Sequence, residues 1–343
     1  MGLAGLILVV NAGSTTLKLN VVAADESVTR VGSLERLPQG IDAVAHRVVH
    51  GGDLREPVRI DGEVEERLHR AVELAPLHNK PAIAAIADAR RVLPGVPHVA
   101  VFDTAFHATI PPVAATYALP EEWRNEIRRY GFHGLSVQWA SERVPVARLV
   151  VCHLGGGCSI TAVRDGRSVD TTMGFTPLEG VPMATRAGSV DPGALLHLLR
   201  RGTTVERLDH ALEFESGLLA LSGRSGEVSE LERAEDEAAR FALDVLAYRV
   251  AGAVAAMAVA LGGLDAIVFT AGIGENSVHV RRRVCSRLAF LGVALDDERN
   301  ANAVADAEIG AQSSAVRVVV VRAREELVAA RAARALLDSG GRA

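Results

Sequence analysis

The chain has 343 residues, of which 49% are apolar and 23% charged, and its formal net charge is −5. That balance excludes a disordered chain, leaves room for two domain cores, and supplies no extended basic face, so no nucleic acid partner is expected. Cys152, Cys158 and Cys285 form no paired-spacing motif and suit a reducing cytoplasm; Met1-Gly-Leu-Ala-Gly lacks a secretory pattern and the apolar run Val250 to Leu261 is too short for a bilayer, so a cytoplasmic protein without a membrane span is expected.

Leu6 to Val10 reads as a buried strand, followed by the bend Asn11-Ala-Gly13-Ser14-Thr15-Thr16-Leu-Lys18 and a second strand from Leu17 to Val22. Strands over 27–34 and 43–49, helices near 63–75 and 81–93, and a strand from Val99 to Phe102 complete an α/β first half. Pro81 is expected in the first turn of its helix, and Pro94-Gly95 ends it. The segment His107 to Arg148 carries Pro111-Pro112, Pro120 and both tryptophans, with a short helix after Gly134, and is read as a crossover between domains.

The second half repeats the order. Leu149 to Cys152 leads into His153-Leu-Gly155-Gly156-Gly157-Cys-Ser159 and a strand from Ile160 to Val163. A helix opened by Asp191-Pro192 and closed by Gly202 follows, then one opened by the capping box Thr203-x-x-Glu206. An alanine-rich helix over 232–261, the strand Ala266 to Thr270, a helix over 276–290, the strand Val316 to Val321 and a final helix are expected after these.

The two bends are the most informative feature. Each runs from strand to strand, where a P-loop would enter a helix. Glycine lets backbone N–H groups crowd onto an anion, and Ser14, Thr16 and Ser159 add hydroxyl donors, so the pair predicts two halves of one phosphate clamp.

Other side chains stand where α/β sheets bind ligands, beyond strand ends. Arg47 ends a strand beside Gly51-Gly52; taken alone it reads as an ion-pair partner. His46 and His50 lie about 13 Å apart along a strand, too far to share a metal ion. Asp103 follows the strand ending at Phe102 and is a catalytic candidate. Tyr130-Gly-Phe132-His133-Gly134 presents an imidazole from a glycine-flanked turn, and Thr176 to Gly188 is a long aperiodic loop carrying Arg186. Phe269-Thr-Ala-Gly272-Ile273-Gly274-Glu275-Asn276 follows a buried strand and opens a helix, a geometry suited to phosphate or ribose.

Taken in order, Asn11 to Ser14, His46-Arg47-Val-Val-His50-Gly-Gly, Phe102-Asp103-Thr-Ala-Phe-His107, Tyr130-Gly-Phe-His133-Gly, His153-Leu-Gly, Thr185-Arg186 and Phe269 to Asn276 resemble the acetate and propionate kinases over nearly the whole chain. The resemblance implies two duplicated actin-like, ribonuclease H-like domains with a hinged nucleotide cleft, spanning 1–106 plus 326–343 and 107–325, with 107–148 as the crossover. It implies reversible transfer of the γ-phosphoryl group of Mg·ATP to a short-chain carboxylate, giving acyl phosphate and ADP, in a homodimer.

By the same resemblance Arg47 and Arg186 grip the carboxylate and the moving phosphoryl, His133 donates to the transferring group, and Asp103 orients an arginine or a metal-bound water. Asn11 and Glu325 hold Mg²⁺ (or Mn²⁺). Ser14, Thr16, Lys18, His153, Gly155, Gly156 and Gly157 line the phosphate path, with Glu227, Gly272, Ile273, Gly274 and Asn276 at the nucleotide. Val49, Leu77, Phe132 and Pro177 form a small acyl pocket, in which Val49 leans towards acetate, though one methylene discriminates by only about 1–3 kcal/mol.

The chain departs from the family pattern in four places. The stretch before His46 is short, Gly156 stands where an asparagine is usual, Arg324 replaces the asparagine before Glu325, and Glu227 and Ser229 stand where an aspartate and an arginine contact the nucleoside. Arg224 is the substitute considered for that arginine, as a stacking cation. The changes leave open a donor other than ATP, another nucleotide or pyrophosphate, or a catalytically silent relative that only binds. A sugar kinase is open on fold alone, but would need a carboxylate base for its hydroxyl acceptor.

Overall fold

One strand order occurs twice along the chain. In the computed structural model, which describes residues 5–13, 17–234 and 236–340, the first sheet contains β1 (Leu6–Ala12), β2 (Leu17–Val22), β3 (Val28–Val31), β4 (Ile41–Val48), β5 (Val58–Arg59) and β6 (His98–Phe102). Its order is β3-β2-β1-β4-β6-β5. The second sheet contains β7 (Arg148–Leu154), β8 (Cys158–Arg164), β9 (Arg167–Thr171), β10 (Ala266–Thr270), β11 (Ala307–Glu308) and β12 (Arg317–Val320), in the order β9-β8-β7-β10-β12-β11. Each sheet joins an antiparallel three-strand meander to a parallel trio and ends on an antiparallel edge strand. The duplication expected from the hairpins is therefore one of topology, pairing sense included.

The sheets belong to two compact units. One comprises the chain up to Ala108, Phe132–Trp139 and the segment from Arg324; the other comprises Thr109–Gly131 and Ala140–Ala323. In the first, Ile7 to Val10 are all buried, the continuous apolar run of a strand covered on both faces. The helix Pro76–Val92 sets Ala85 and Ala89 against Leu8, Val10 and Val44, and the helix Glu325–Gly340 packs on β1, β4 and β6. In the second, the 25-residue helix Glu237–Leu261 packs on β7 and β8, burying Val250, Val254, Met257 and Leu261. This helix is long and apolar enough to cross a membrane by length and composition, but half of its apolar stretch is buried within the fold.

Several helix ends differ from expectation. Pro81 lies inside the helix Pro76–Val92 and removes the bond an amide there would make to the Leu77 carbonyl. The helix starts early because buried Asn79 is bracketed: its side chain donates to the carbonyls of His50 (2.9 Å) and Ala71 (3.0 Å) and accepts from the His50 amide (3.1 Å). The N-cap expected at Thr203 is Thr204, whose hydroxyl accepts from the Arg207 amide at 3.2 Å. The helix expected from 232 begins at Glu237, capped by Asp236, behind a separate helix Val228–Arg233. That expected over 276–290 is two, Ala271–Asn276 and Val278–Arg287, divided by the cap Ser277.

Candidate functional site

In the first unit the strand register builds a row of polar groups. Lys18 on β2 pairs with Asn11 on β1, and Asn11 pairs with Arg47 on β4. The carboxyl end of β6 adds Asp103, one residue beyond Phe102. Sheets expose ligand-binding groups at such strand ends because the backbone there leaves the ladder while its position stays fixed.

Arg47 is the hub. Its Nε donates to Asp103 Oδ1 at 2.8 Å and its Nη2 to Asp103 Oδ2 at 2.6 Å; Nη1 reaches Asn11 Oδ1 at 3.3 Å and Glu325 Oε2 at 2.8 Å. The Arg47 side chain is 16% exposed and that of Asp103 1%. Burial works against the guanidinium charge, but Asp103 and then Glu325 outweigh it and hold Arg47 above its ordinary value. The surface ion pair that the sequence alone suggested is thus a buried hub between two carboxylates and a carboxamide.

Glu325, in the first turn of its helix, carries the converse signature. Burial raises its carboxyl against the pull of Arg47, and the nearby Asp103 and Glu326 raise it further while Lys18 lowers it. Asn11 Oδ1 and Glu325 Oε2 converge on the same nitrogen, Arg47 Nη1. Both are hard oxygen donors, a carboxamide and a carboxylate, of the kind Mg²⁺ takes together with water and phosphate oxygens, so this donor pair fits that ion.

His133 stands where the chain turns into the helix Gly134–Arg143, in the left-handed region at φ +59°, a conformation that costs a non-glycine residue free energy and recurs at functional positions. The Gly134 amide donates to the Asp103 carbonyl at 2.9 Å, and a Cβ at 134 would fall 2.2 Å from that oxygen, so this turn requires glycine. Phe132 is buried edge-on against His50, and its carbonyl accepts from His107 Nε2 at 2.8 Å. Of the expected acyl-pocket residues, half-buried Val49 follows β4 and Leu77 lies in the first turn of the helix that Asn79 ties to His50. Pro177 belongs to the second unit.

His46 and His50 have other tasks than metal binding. His98 Nε2 meets the Leu93 carbonyl at 3.1 Å and must donate to it, so His98 Nδ1 accepts from His46 Nε2 at 2.9 Å. His50 Nδ1 accepts from the Gly52 amide at 2.9 Å.

The second sheet repeats the row. Ser159 on β8 pairs with His153 on β7, and His153 pairs with Thr270 on β10. Immediately beyond them, Gly155, Gly156, Gly272, Ile273 and Asn276 line a cleft of about 310 Å³ together with Ala184, Glu227, Ser229, Glu232 and Ser277. The Gly155 amide closes the hairpin on the Gly157 carbonyl at 3.0 Å, and the Asn276 side-chain amide closes the following turn on the Gly272 carbonyl at 2.8 Å. Six of the twelve expected nucleotide and phosphate residues, Gly155, Gly156, Glu227, Gly272, Ile273 and Asn276, therefore meet in one cleft, and Lys18 and His153 are not among its lining. Gly157 shapes the hairpin without lining the cleft, and buried Gly274 backs it. Arg224 is not among the lining residues; it pairs with Asp236 at 3.1 Å. Ser14 and Thr16 lie outside the described residues.

The loop between β9 and the helix Pro192–Arg200 has no regular structure, yet Met173, Val181 and Met183 in it are buried. Arg129 gathers it by donating to the carbonyls of Thr171, Thr172 and Met173 and to Glu179, which also takes the Tyr117 hydroxyl. Arg186 donates through Nε to Glu213 Oε2 at 2.8 Å. Sequence reasoning did not identify Tyr117, Arg129 or Glu213, because each reaches the loop from an element distant in sequence and none stands in a motif, nor Glu179, which lies within the aperiodic loop and shows its part only through contacts with Tyr117 and Arg129.

The chain is similar to known proteins over most of its length. The sequence profile of the acetokinase family matches residues 29–331. The chain is 48% identical to the acetate kinase of Gloeobacter violaceus over 309 residues, covering 86% of this chain and 76% of that one. It is 47% identical to the acetate kinase of Synechococcus sp. over 322 residues, covering 90% and 79%. Among solved structures, a propionate kinase from Francisella tularensis superposes with a TM-score of 0.88 at 34% identity, covering 95% of this chain and 98% of that one. The Porphyromonas gingivalis acetate kinase superposes with a TM-score of 0.85 at 32% identity, covering 97% and 100%. The architecture is that of two actin-like domains, and the chain belongs to the acetokinase family, phosphotransferases with a carboxyl group as acceptor.

Proposed function

We propose that the chain catalyses reversible transfer of the γ-phosphoryl group of ATP to acetate, giving acetyl phosphate and ADP, with Mg²⁺ (or Mn²⁺) bound by Asn11 and Glu325. The observation that carries this reading is the Lys18–Asn11–Arg47 row, closed by the bidentate Asp103–Arg47 pair.

A carboxylate acceptor is ionised at neutral pH and needs no general base. The obstacle is repulsion between its charge and the phosphates, so the protein's contribution is positive charge, hydrogen-bond donors and alignment. Arg47, fixed by Asp103, takes the acceptor carboxylate; Arg186 and His133 donate to the phosphoryl group. A bound divalent ion supplies neutralisation of phosphate charge. Val49, Leu77, Phe132 and Pro177 enclose the methyl group, and the half-buried Val49 favours acetate over propionate. Lys18, Ser14, Thr16 and His153 follow the phosphate path, and the cleft at Gly155, Gly272 and Glu227 takes the nucleoside.

Buried, unpaired Cys152, Cys158 and Cys285 and a nucleotide substrate suit the cytoplasm. A homodimer is proposed through the outer face of the helix Glu237–Leu261, where Phe241, Tyr248 and Val259 are exposed beside Phe290. Asp244, paired with Arg283 and Arg287, supplies both signs of charge on that face, as a self-complementary contact requires.

A second reading, the same transfer from another donor, is favoured by what lines the nucleoside cleft: Gly156, Glu227 and Ser229, three of the positions at which the chain departs from the family pattern, all stand in its lining. Trapping acyl phosphate as hydroxamate with acetate and ATP, GTP or pyrophosphate decides between them. Preference for ATP supports the main reading, preference for GTP or pyrophosphate the second, and failure with every donor leaves a binding protein.

A further inference from the structure

We propose that Glu213 is a positioning residue for Arg186, fixing the plane of its guanidinium and offsetting part of its charge; this rests on the phosphoryl-binding role read for Arg186 above. Arg186 extends from a segment without regular structure, where a long side chain would sample many rotamers. Glu213, at the end of the helix Val205–Phe214, accepts from its Nε at 2.8 Å. The two side chains are 17% and 12% exposed. Burial raises the Glu213 carboxyl and nearby Asp209 raises it further, while the charge and hydrogen bond of Arg186 lower it. Glu213 occupies the Nε side of the guanidinium, while Nη1 makes long contacts, to the Pro177 carbonyl at 3.5 Å and Met183 Sδ at 3.8 Å; a phosphoryl or carboxylate group offers the two Nη groups a stronger, planar pair of acceptors than these.

The fold does not need Glu213 to hold the loop, because the backbone does so. Ala187 donates to the Leu212 carbonyl at 3.0 Å, Ser216 to Thr185 at 2.9 Å, Leu218 to Met183 at 2.9 Å and Leu219 to Ala184 at 3.0 Å. The Thr185 hydroxyl adds a bond to the Glu213 carbonyl at 2.8 Å, which survives any change of the Glu213 side chain. What the carboxylate adds is therefore orientation and charge at one guanidinium. These separate by substitution: glutamine keeps an oxygen for Nε–H and removes the charge, whereas alanine removes both.

The test is steady-state kinetics of Glu213→Gln, Glu213→Ala and Arg186→Ala with thermal midpoints measured alongside. Glu213→Ala is expected to lose kcat by about 10- to 100-fold, the cost of a misplaced catalytic group. Glu213→Gln is expected to hold kcat within about threefold and to lower KM for its anionic substrates by up to about fivefold, since the arginine then carries an uncompensated charge. A Glu213→Ala kcat within twofold of the parent, or equal kcat losses in both Glu213 variants, would overturn the inference. If the alanine variant does not fold, the glutamine variant decides: a KM that is unchanged or raised overturns it. Full activity in Arg186→Ala would remove the Arg186 role and this inference with it, whereas an inactive Arg186→Ala beside a fully active Glu213→Ala removes the Glu213 role alone.

Discussion

Asp103 grips Arg47 along one whole edge of its guanidinium, Nε at 2.8 Å and Nη2 at 2.6 Å, from the ends of adjacent parallel strands. In the proposed reaction the pair fixes where a positive charge meets the acceptor carboxylate. Asp103→Asn would set an amide N–H against an arginine N–H and leave Glu325 as the one carboxylate paired with Arg47. The expected loss is about 1.5–3 kcal/mol of stability, the range for hydrogen bonds to charged groups, with a fall in kcat of about 100-fold or more. Urea denaturation and the hydroxamate assay on the same preparation check both, and unchanged kcat would remove Asp103 from the site.

Two buried histidines set the acid limit of the fold. Burial depresses His46, adjacent to Arg47, to about 3, with His98 and Arg90 contributing; burial likewise depresses His107 to about 4, against its bond to Phe132 and the charge of Asp103. Both are neutral when folded and take up a proton in the unfolded chain near 6.5. The unfolded state therefore binds more protons below that pH, and stability falls with acidification until the folded values are reached. The slope is about 1.4 kcal/mol per pH unit for each histidine. Urea titrations at pH 7, 6 and 5 should show it, and His107→Gln should flatten it by the contribution of one group; a flat profile in the parent would contradict the assignment.

The sequence revealed the strands and the positions at their ends, because short β-branched runs such as Leu6 to Val10, bounded by turn residues, are too short for a buried helix, and Arg47, Asp103 and His153 stand at such ends. It did not reveal how those ends combine. The Asp103–Arg47–Glu325 hub depends on parallel register between strands and on a helix far along the chain. Pro81 misled because buried Asn79, which fixes the earlier helix start, reads as an ordinary polar residue. Glu213 and Arg129 act on a loop that has no periodicity of its own, so only tertiary contact shows their part.

The glycines of the cleft proposed for the nucleoside offer a way to separate binding from folding. A Cβ at Gly156 or Gly272 would meet nothing within 4 Å, whereas one at Gly274 would lie 3.2 Å from the Phe269 carbonyl carbon. Gly272→Val is thus expected to leave stability within about 1 kcal/mol, as for open surface positions, while filling the cleft and raising KM for the nucleotide about tenfold or more. Gly274→Val should lower the thermal midpoint instead. Nucleotide KM unchanged in Gly272→Val would mean that the nucleoside binds elsewhere.

The proposed dimer face is tested by charge. Val259, 81% exposed on the helix Glu237–Leu261, makes little contact with its own unit. Val259→Asp should leave thermal stability of the isolated chain nearly unchanged and convert a dimer to a monomer in light scattering. A dimer that persists in this variant and in Tyr248→Glu would place the interface on another surface.

The central claim is that Arg47, locked between Asp103 and Glu325, receives the acceptor carboxylate. The most direct measurement is acyl phosphate formation from acetate and ATP by the parent chain and by Arg47→Ala, with nucleotide affinity measured on both by calorimetry. The account predicts turnover in the parent, a loss of about 1,000-fold or more in Arg47→Ala, and unchanged nucleotide affinity. Turnover in Arg47→Ala within tenfold of the parent would contradict it.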